Sequence, residues 1–177
     1  MNKDLLMDSD EINNAIIKIS EGLQSSISDF SNICFIGIRT RGIVVAKRIL
    51  NELKKYKINN IPLGTLDITL YRDDFRSKDT WPVIEKSDIP FDVKDKDIYI
   101  VDDVIYTGRT ARAAIEAIMD YGRPSSIKLI TLIDRGFREL PIQPDFSGAK
   151  VSVGHDNRVN VFLEDTDGKD RVEITSR

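Results

Sequence analysis

After "MDSDE" the apolar positions Ile12, Ile16, Ile19 and Leu23 recur at three- and four-residue spacing, which predicts an amphipathic helix with Asp8, Ser9 or Asp10 as its N-cap. The unbroken apolar run "NICFIGI" (32–38) predicts a buried strand. "RGIVVAKRILNELKKY" (41–56) follows with helical spacing through Val44, Val45, Ile49 and Leu53. "LGTLDITLY" (63–71) has the β-branched and aromatic content of a strand, and "RDDFRSKDTWPVIEKSDIPFD" (72–92), charged and broken by Pro82 and Pro90, reads as a long loop. Loops of that length inside a domain usually serve as lids or binding loops, or carry small hairpins of their own. Next come a strand, "DIYIVDD" (97–103), a helix, "TARAAIEAIMDYG" (110–122), ended by Gly122 and Pro124, and a further strand, "SIKLITLIDRG" (126–136). The alternating tail segments "VSVG" and "RVNVFLE" suggest a closing pair of strands.

Strands that alternate with helices imply an α/β fold, a mostly parallel sheet flanked by helices on both faces. The length, 177 residues, fits one domain spanning 1–177 with a core of its own. Hydrophobic residues at 41% and charged residues at 31% argue against a disordered or fibrous chain. The sole cysteine, Cys34, falls inside an apolar run and reads as a buried reduced thiol. With no signal-like start and no membrane-length apolar stretch, the expected location is cytoplasmic. A net charge of -3 gives no support to strong nonspecific binding of nucleic acid, although a local basic face would be compatible with it.

In open α/β sheets ligands bind beyond the carboxyl ends of the strands. There the sequence reads Val101, Asp102, Asp103, Val104, Ile105, Tyr106, Thr107, Gly108, Arg109, Thr110, and a helix begins. A helix N-terminus offers unpaired N–H groups and the positive end of the dipole, so a phosphate suits the Thr107–Thr110 turn, with Gly108 permitting close backbone approach. The two acids would repel that phosphate at close range. They make sense against ribose hydroxyls or a hydrated Mg2+. Strand-end acids and threonine caps are each ordinary alone; their combined spacing describes a site for a phosphorylated ribose.

"VDDVIYTGRTA" resembles the phosphoribosyl-diphosphate (PRPP) motif of type I phosphoribosyltransferases. With "IGIRTRG" (36–42), "LDITLYRDD" (66–74) and "GRPSSIKLITLIDRGFRELPI" (122–142), nearly the whole chain is similar to the PyrR family, bifunctional pyrimidine operon attenuation regulators and uracil phosphoribosyltransferases. The resemblance implies a type I phosphoribosyltransferase-like fold with a flexible active-site loop and closing C-terminal strands. It implies that Asp102 and Asp103 engage ribose hydroxyls or Mg2+, directly or through water, and that Thr107, Gly108, Arg109 and Thr110 hold the 5'-phosphate. Arg39, Thr40, Arg41 and Gly42 match the pyrophosphate loop, where cations before a helix start suit a diphosphate. Tyr71, Arg72, Asp73 and Asp74 begin the loop that folds over the active site, with Arg72 a catalytic candidate beside Asp102 and Asp103. Asp134, Arg135, Gly136 and Phe137 fall where the family receives uracil. Many relatives have histidine in place of Phe137, so no role of that histidine transfers.

The reaction so implied makes UMP and pyrophosphate from uracil and PRPP. The implied regulatory partner is pyrimidine-operon mRNA, bound with UMP, and Lys18 and Arg138 are the RNA-contact candidates. Lys18 is the only cation of "EINNAIIKISEGLQ", and Gln143 stands where regulators often have arginine, so the basic face is thin. An RNA-binding regulator that senses UMP or UTP with little catalysis is the alternative reading. Another purine or pyrimidine phosphoribosyltransferase fits "LYRDD" and "GRPSS" less well. The family also implies a homodimer or higher homo-oligomer. His155, the one histidine, reads as a solvated turn residue without catalytic work.

Overall fold

The computed structural model describes residues 3–69 and 86–176. Its order is β1 (Lys3–Met7), α1 (Ser9–Ser26), β2 (Ile33–Ile38), α2 (Arg41–Leu53), a 3-10 turn (Lys54–Tyr56), β3 (Leu63–Leu66), β4 (Asp97–Ile105), α3 (Arg109–Met119), β5 (Ser126–Asp134), β6 (Phe146–Lys150), β7 (Asn157–Phe162), α4 (Glu164–Asp167) and β8 (Arg171–Ser176). Five strands form a parallel sheet in the order β3-β2-β4-β5-β6, and three form a second, antiparallel sheet in the order β1-β8-β7.

The run "ICFIGI" is continuous in apolar residues because β2 is covered on both faces. Ile33 and Phe35 join the core under α1 and α2, which also takes Tyr99 and Val101 of β4. Cys34, Ile36 and Ile38 point the other way, with Ile98 and Ile100, into the core under α3. Cys34 is buried as expected, and burial pushes its thiol pKa up. The alanine-rich face of α3 (Ala111, Ala113, Ala114, Ala117) is fully packed, which brings the helix close to the sheet. Asp8 caps α1: its side chain accepts from Glu11 N while Glu11 accepts from Asp8 N, each at 2.9 Å. A cap of this kind stabilises by about 1 kcal/mol.

Three expectations change. "VSVG" is not a strand; β6 begins earlier, at Phe146, where Gly148 lies so near Ala15 of α1 that a Cβ would sit 2.7 Å from the Ala15 methyl. Strand β7 does not pair with β6 either: it joins β8 and the N-terminal β1, a short charged strand that shows no clear period. Strand β3 also stops at Leu66, short of the expected Tyr71. Among the described residues no helix is long and apolar enough to cross a membrane.

Candidate active site

Strand β2 leads through α2 to β3 on one side of the sheet, and its neighbour β4 leads through α3 to β5 on the other. Between their carboxyl ends lies the crevice where parallel sheets bind ligands. The sequence places two loops there, Arg39–Thr40 before α2 and Tyr106–Gly108 before α3.

The first loop lies hard against β4. A Cβ on Gly42 would meet the Val101 carbonyl oxygen at 2.4 Å and one on Gly37 the Ile43 Cα at 2.5 Å, so only glycine permits this approach. The Arg39–Thr40 peptide is cis, and Arg39 N donates to Leu66 O at 2.9 Å. Arg39 and Thr40 are exposed, and the Arg39 guanidinium donates to Lys86 O at 3.3 Å. Arg41, the first residue of α2, turns toward α4: its Nε and Nη2 donate to the two oxygens of Asp167 at 3.0 and 2.7 Å, with Phe162 beneath the guanidinium. That fork holds the Asp167 carboxyl at about 2, well below its ordinary 3.8.

The second loop is built on backbone bonds. Thr107 O accepts from Glu139 N and Leu140 N, Thr107 Oγ1 accepts from Arg109 N at 3.3 Å, and Gly108 takes a φ of +90° at the N-terminus of α3. Gly108 is needed there because that φ lies in the left-handed region. Arg109 is exposed and pairs with Glu139 at 2.8 Å. Beside this turn is a cavity of about 120 Å3 that Asp102, Thr107, Gly108 and Thr110 help to line. Thr131, paired with Asp102 across β4 and β5, lines it too. Its hydroxyl is fully buried and has no partner among the described residues.

At the end of β4, Asp102 Oδ1 accepts from Asp103 N and Asp103 Oδ1 from Val104 N, each at 2.9 Å. Burial pushes the Asp103 carboxyl pKa up, opposed by hydrogen bonding with Asp102 and by the charge of Arg41. The acid pair, the loop before α2 and the turn before α3 therefore lie at the carboxyl ends of the neighbouring strands β2 and β4. No cluster of three metal-ligating side chains exists among the described residues. Two carboxylates that share a cation with a phosphorylated ligand are still the donor set Mg2+ ordinarily takes.

The residues expected at the base divide differently. Asp134 Oδ1 accepts from Gly136 N at 2.9 Å and from Arg138 at 2.6 Å. The buried Arg135 guanidinium lies 3.8 Å from the Tyr106 ring centre and donates to the carbonyls of Gly154, His155 and Asn157. Both side chains hold the loop, whose backbone is tied in as well: Arg135 N donates to Ile105 O at 3.0 Å and Gly136 O accepts from Arg138 at 3.1 Å. Phe137 has a φ of +57° and a half-exposed ring edge-on to His155, with centroids 5.4 Å apart. Arg138 faces inward, donating also to Ile142 O and Tyr106 O, each at 2.9 Å. Lys18 Nζ donates to Gly148 O at 3.0 Å. Arg72, with Tyr71, Asp73 and Asp74, lies outside the described residues.

The sequence reading missed three groups: Thr131, Asp167 and the β7 wall. That wall closes a cavity of about 300 Å3 lined by Val104, Tyr106, Arg135, Arg158, Val159 and Asn160. Its residues come from an antiparallel sheet whose approach to β4 no local pattern reveals.

A parallel sheet with this crevice and these loops defines a phosphoribosyltransferase-type domain. The family model described as "Phosphoribosyl transferase domain" matches residues 8–166. Solved hypoxanthine phosphoribosyltransferases share the fold: that of Trypanosoma cruzi at a TM-score of 0.71 and 15% identity, covering 98% of this chain and 96% of its own, and that of Staphylococcus aureus at 0.69 and 15%, covering 98% and 92%. "Bifunctional protein PyrR" of Thermoanaerobacter sp. is 45% identical over 172 residues, with 97% of each chain covered. The Bacillus cereus protein of that name is 44% identical over 174 residues, 97% of each, and that of Chloroflexus aurantiacus 43% over 173, covering 98% of this chain and 95% of the relative. The chain belongs to the phosphoribosyltransferase domain family and, within it, to the bifunctional PyrR proteins.

Proposed function

We propose that this chain is a uracil phosphoribosyltransferase that makes UMP and pyrophosphate from uracil and PRPP, and that it also regulates pyrimidine-operon expression by binding mRNA. The observation that carries the enzymatic reading is the convergence of three separate segments, 39–42, 102–103 and 107–110, on one switch-point crevice. Each has the chemistry one part of PRPP requires.

In this reading the 5'-phosphate sits on the Thr107–Thr110 turn, taking backbone N–H groups of α3 and the threonine hydroxyls. Asp102 and Asp103 accept from the ribose hydroxyls and would hold Mg2+, directly or through water; the ion, when bound, offsets the charge of the leaving diphosphate. The loop Arg39–Gly42 receives that diphosphate, with Arg72 a further candidate to stabilise it. As the bond to the anomeric carbon breaks, positive charge grows on the ribose, and the acid pair offsets it. Binding both reactants in line supplies much of the remaining acceleration.

The uracil ring fits the cavity between Tyr106 and β7, which Arg135 and Asn160 also line. Asn160 donates its amide to Thr175 Oγ1 at 3.0 Å, which keeps the side-chain carbonyl for an N–H of the base. The RNA reading rests on the family and on exposed cations such as Arg123, because Arg138 is spent inside the fold. UMP formation from PRPP, Mg2+ and a panel of bases tests the enzyme; a gel shift of pyrimidine-operon leader RNA with and without UMP tests the regulator. RNA binding with no turnover on any base would favour a nucleotide-sensing regulator.

A further inference from the structure

Arg41 was expected to meet a diphosphate, yet its guanidinium is already committed on one edge. Nε and one Nη2 hydrogen go to Asp167, and among the described residues its other three N–H groups have no acceptor. Asp167 is held in turn: its Oδ2 also accepts from Leu163 N at 2.9 Å and Thr166 Oγ1 at 2.8 Å. The pair is partly withdrawn from water, with the side chains 34% and 18% exposed. A forked, charge-assisted pair of this geometry fixes the plane of the guanidinium as well as its place.

The two partners belong to different parts of the fold. Arg41 opens α2 on the parallel sheet, whereas Asp167 ends α4, which connects β7 to β8 in the antiparallel sheet. Phe162, the last residue of β7, has its ring 5.9 Å from the Arg41 guanidinium and 5.0 Å from that of Arg171. The same β7 walls the cavity assigned above to the base.

We propose that Asp167 is a positioning residue: by gripping one edge of Arg41 it presents the other three N–H donors, preordered, to the diphosphate of PRPP, and it ties the diphosphate loop to the sheet that covers the base. This rests on the transferase reading. An arginine free to swing would have to be ordered by the ligand at each binding event, and Asp167 removes that cost. The neighbouring Asp165 and Asp170 serve a different purpose, because they pair with Arg48, two turns further along α2.

The test is steady-state kinetics in which PRPP and uracil are varied separately, with thermal melting of each variant. Asp167→Asn should raise KM for PRPP about tenfold, the equivalent of one forked contact, while KM for uracil and kcat stay within about twofold. Asp167→Glu, which keeps the charge but shifts the carboxylate by one methylene, should raise KM for PRPP as well. Asp165→Asn, which loosens the same short helix without touching Arg41, should not. Arg41→Lys combined with Asp167→Asn should be no worse than the worse single variant. An unchanged KM for PRPP in both Asp167 variants, or an equal rise for PRPP and uracil that tracks a lowered Tm, overturns the proposal. Calorimetry of Mg2+-pyrophosphate binding separates the two readings. If the wild type does not bind, the diphosphate site itself is misassigned; if wild type and Asp167→Asn bind equally, only the positioning role falls.

Discussion

Arg138 donates to Asp134 Oδ1 at 2.6 Å in an ion pair whose side chains are only 10% and 11% exposed, and the same guanidinium binds the carbonyls of Tyr106, Gly136 and Ile142. One side chain thereby fastens the end of β5 to the turn that opens α3. Removing one member of a buried pair strands the other, so Arg138→Ala should lower stability by about 3 kcal/mol, measured by urea unfolding. A surface arginine that served only RNA would cost less than about 0.5 kcal/mol.

Gly42 has no room for a methyl group, since the Val101 carbonyl oxygen would lie 2.4 Å from its Cβ. Backbone rather than a flexible side chain must give way. Gly42→Ala should therefore displace the loop that opens α2 and cost about 1–3 kcal/mol of stability. PRPP turnover should fall more than uracil affinity, the latter read by titrating the variant with uracil.

Asp103 and Asp167 should give opposite pH signatures. Burial raises the Asp103 pKa above 3.8, so between 3.8 and the raised value the folded state holds a proton that the unfolded state has lost. Its contribution favours folding at low pH and declines as pH rises through that window. Asp167, lowered from 3.8 to about 2, favours folding above 3.8 and loses that contribution as pH falls toward 2. Without Mg2+ or PRPP, Asp103→Asn should melt higher than wild type at neutral pH. Asp167→Asn should flatten the loss of Tm between about pH 4 and pH 2. A lower Tm for Asp103→Asn at neutral pH would contradict the burial argument.

Thr131 carries a buried hydroxyl with no partner among the described residues. Replacing it by valine removes a polar group that folding leaves unsatisfied, which should be neutral or stabilise by up to about 1 kcal/mol. If the hydroxyl serves the phosphorylated ligand, the same change raises KM for PRPP several-fold. Denaturant unfolding and initial-rate kinetics on the one variant read both effects.

The parallel sheet was legible because its strands are continuous apolar runs and its helices keep a clear period; Phe35 and Ile36 could face opposite cores only in a sheet covered twice. The acid pair and the threonine turn were legible because all of 102–110 lies on one strand-to-helix link. Asp167 was not, since its partner Arg41 is 126 residues away and the helix that carries it is one turn long. Arg138 was expected at an RNA-binding surface, and only the packed loop shows that Asp134 and the carbonyls of Tyr106, Gly136 and Ile142 take its guanidinium inside. The short β1 was missed because its pairing with β8 spans the whole chain.

The most direct test of the central claim is UMP formation by the purified protein with PRPP, Mg2+ and uracil, run beside Asp103→Asn and with hypoxanthine, guanine and cytosine as alternative bases. The account predicts turnover with uracil alone and its loss in the variant. Turnover on a purine base, or activity that survives in Asp103→Asn, would contradict it.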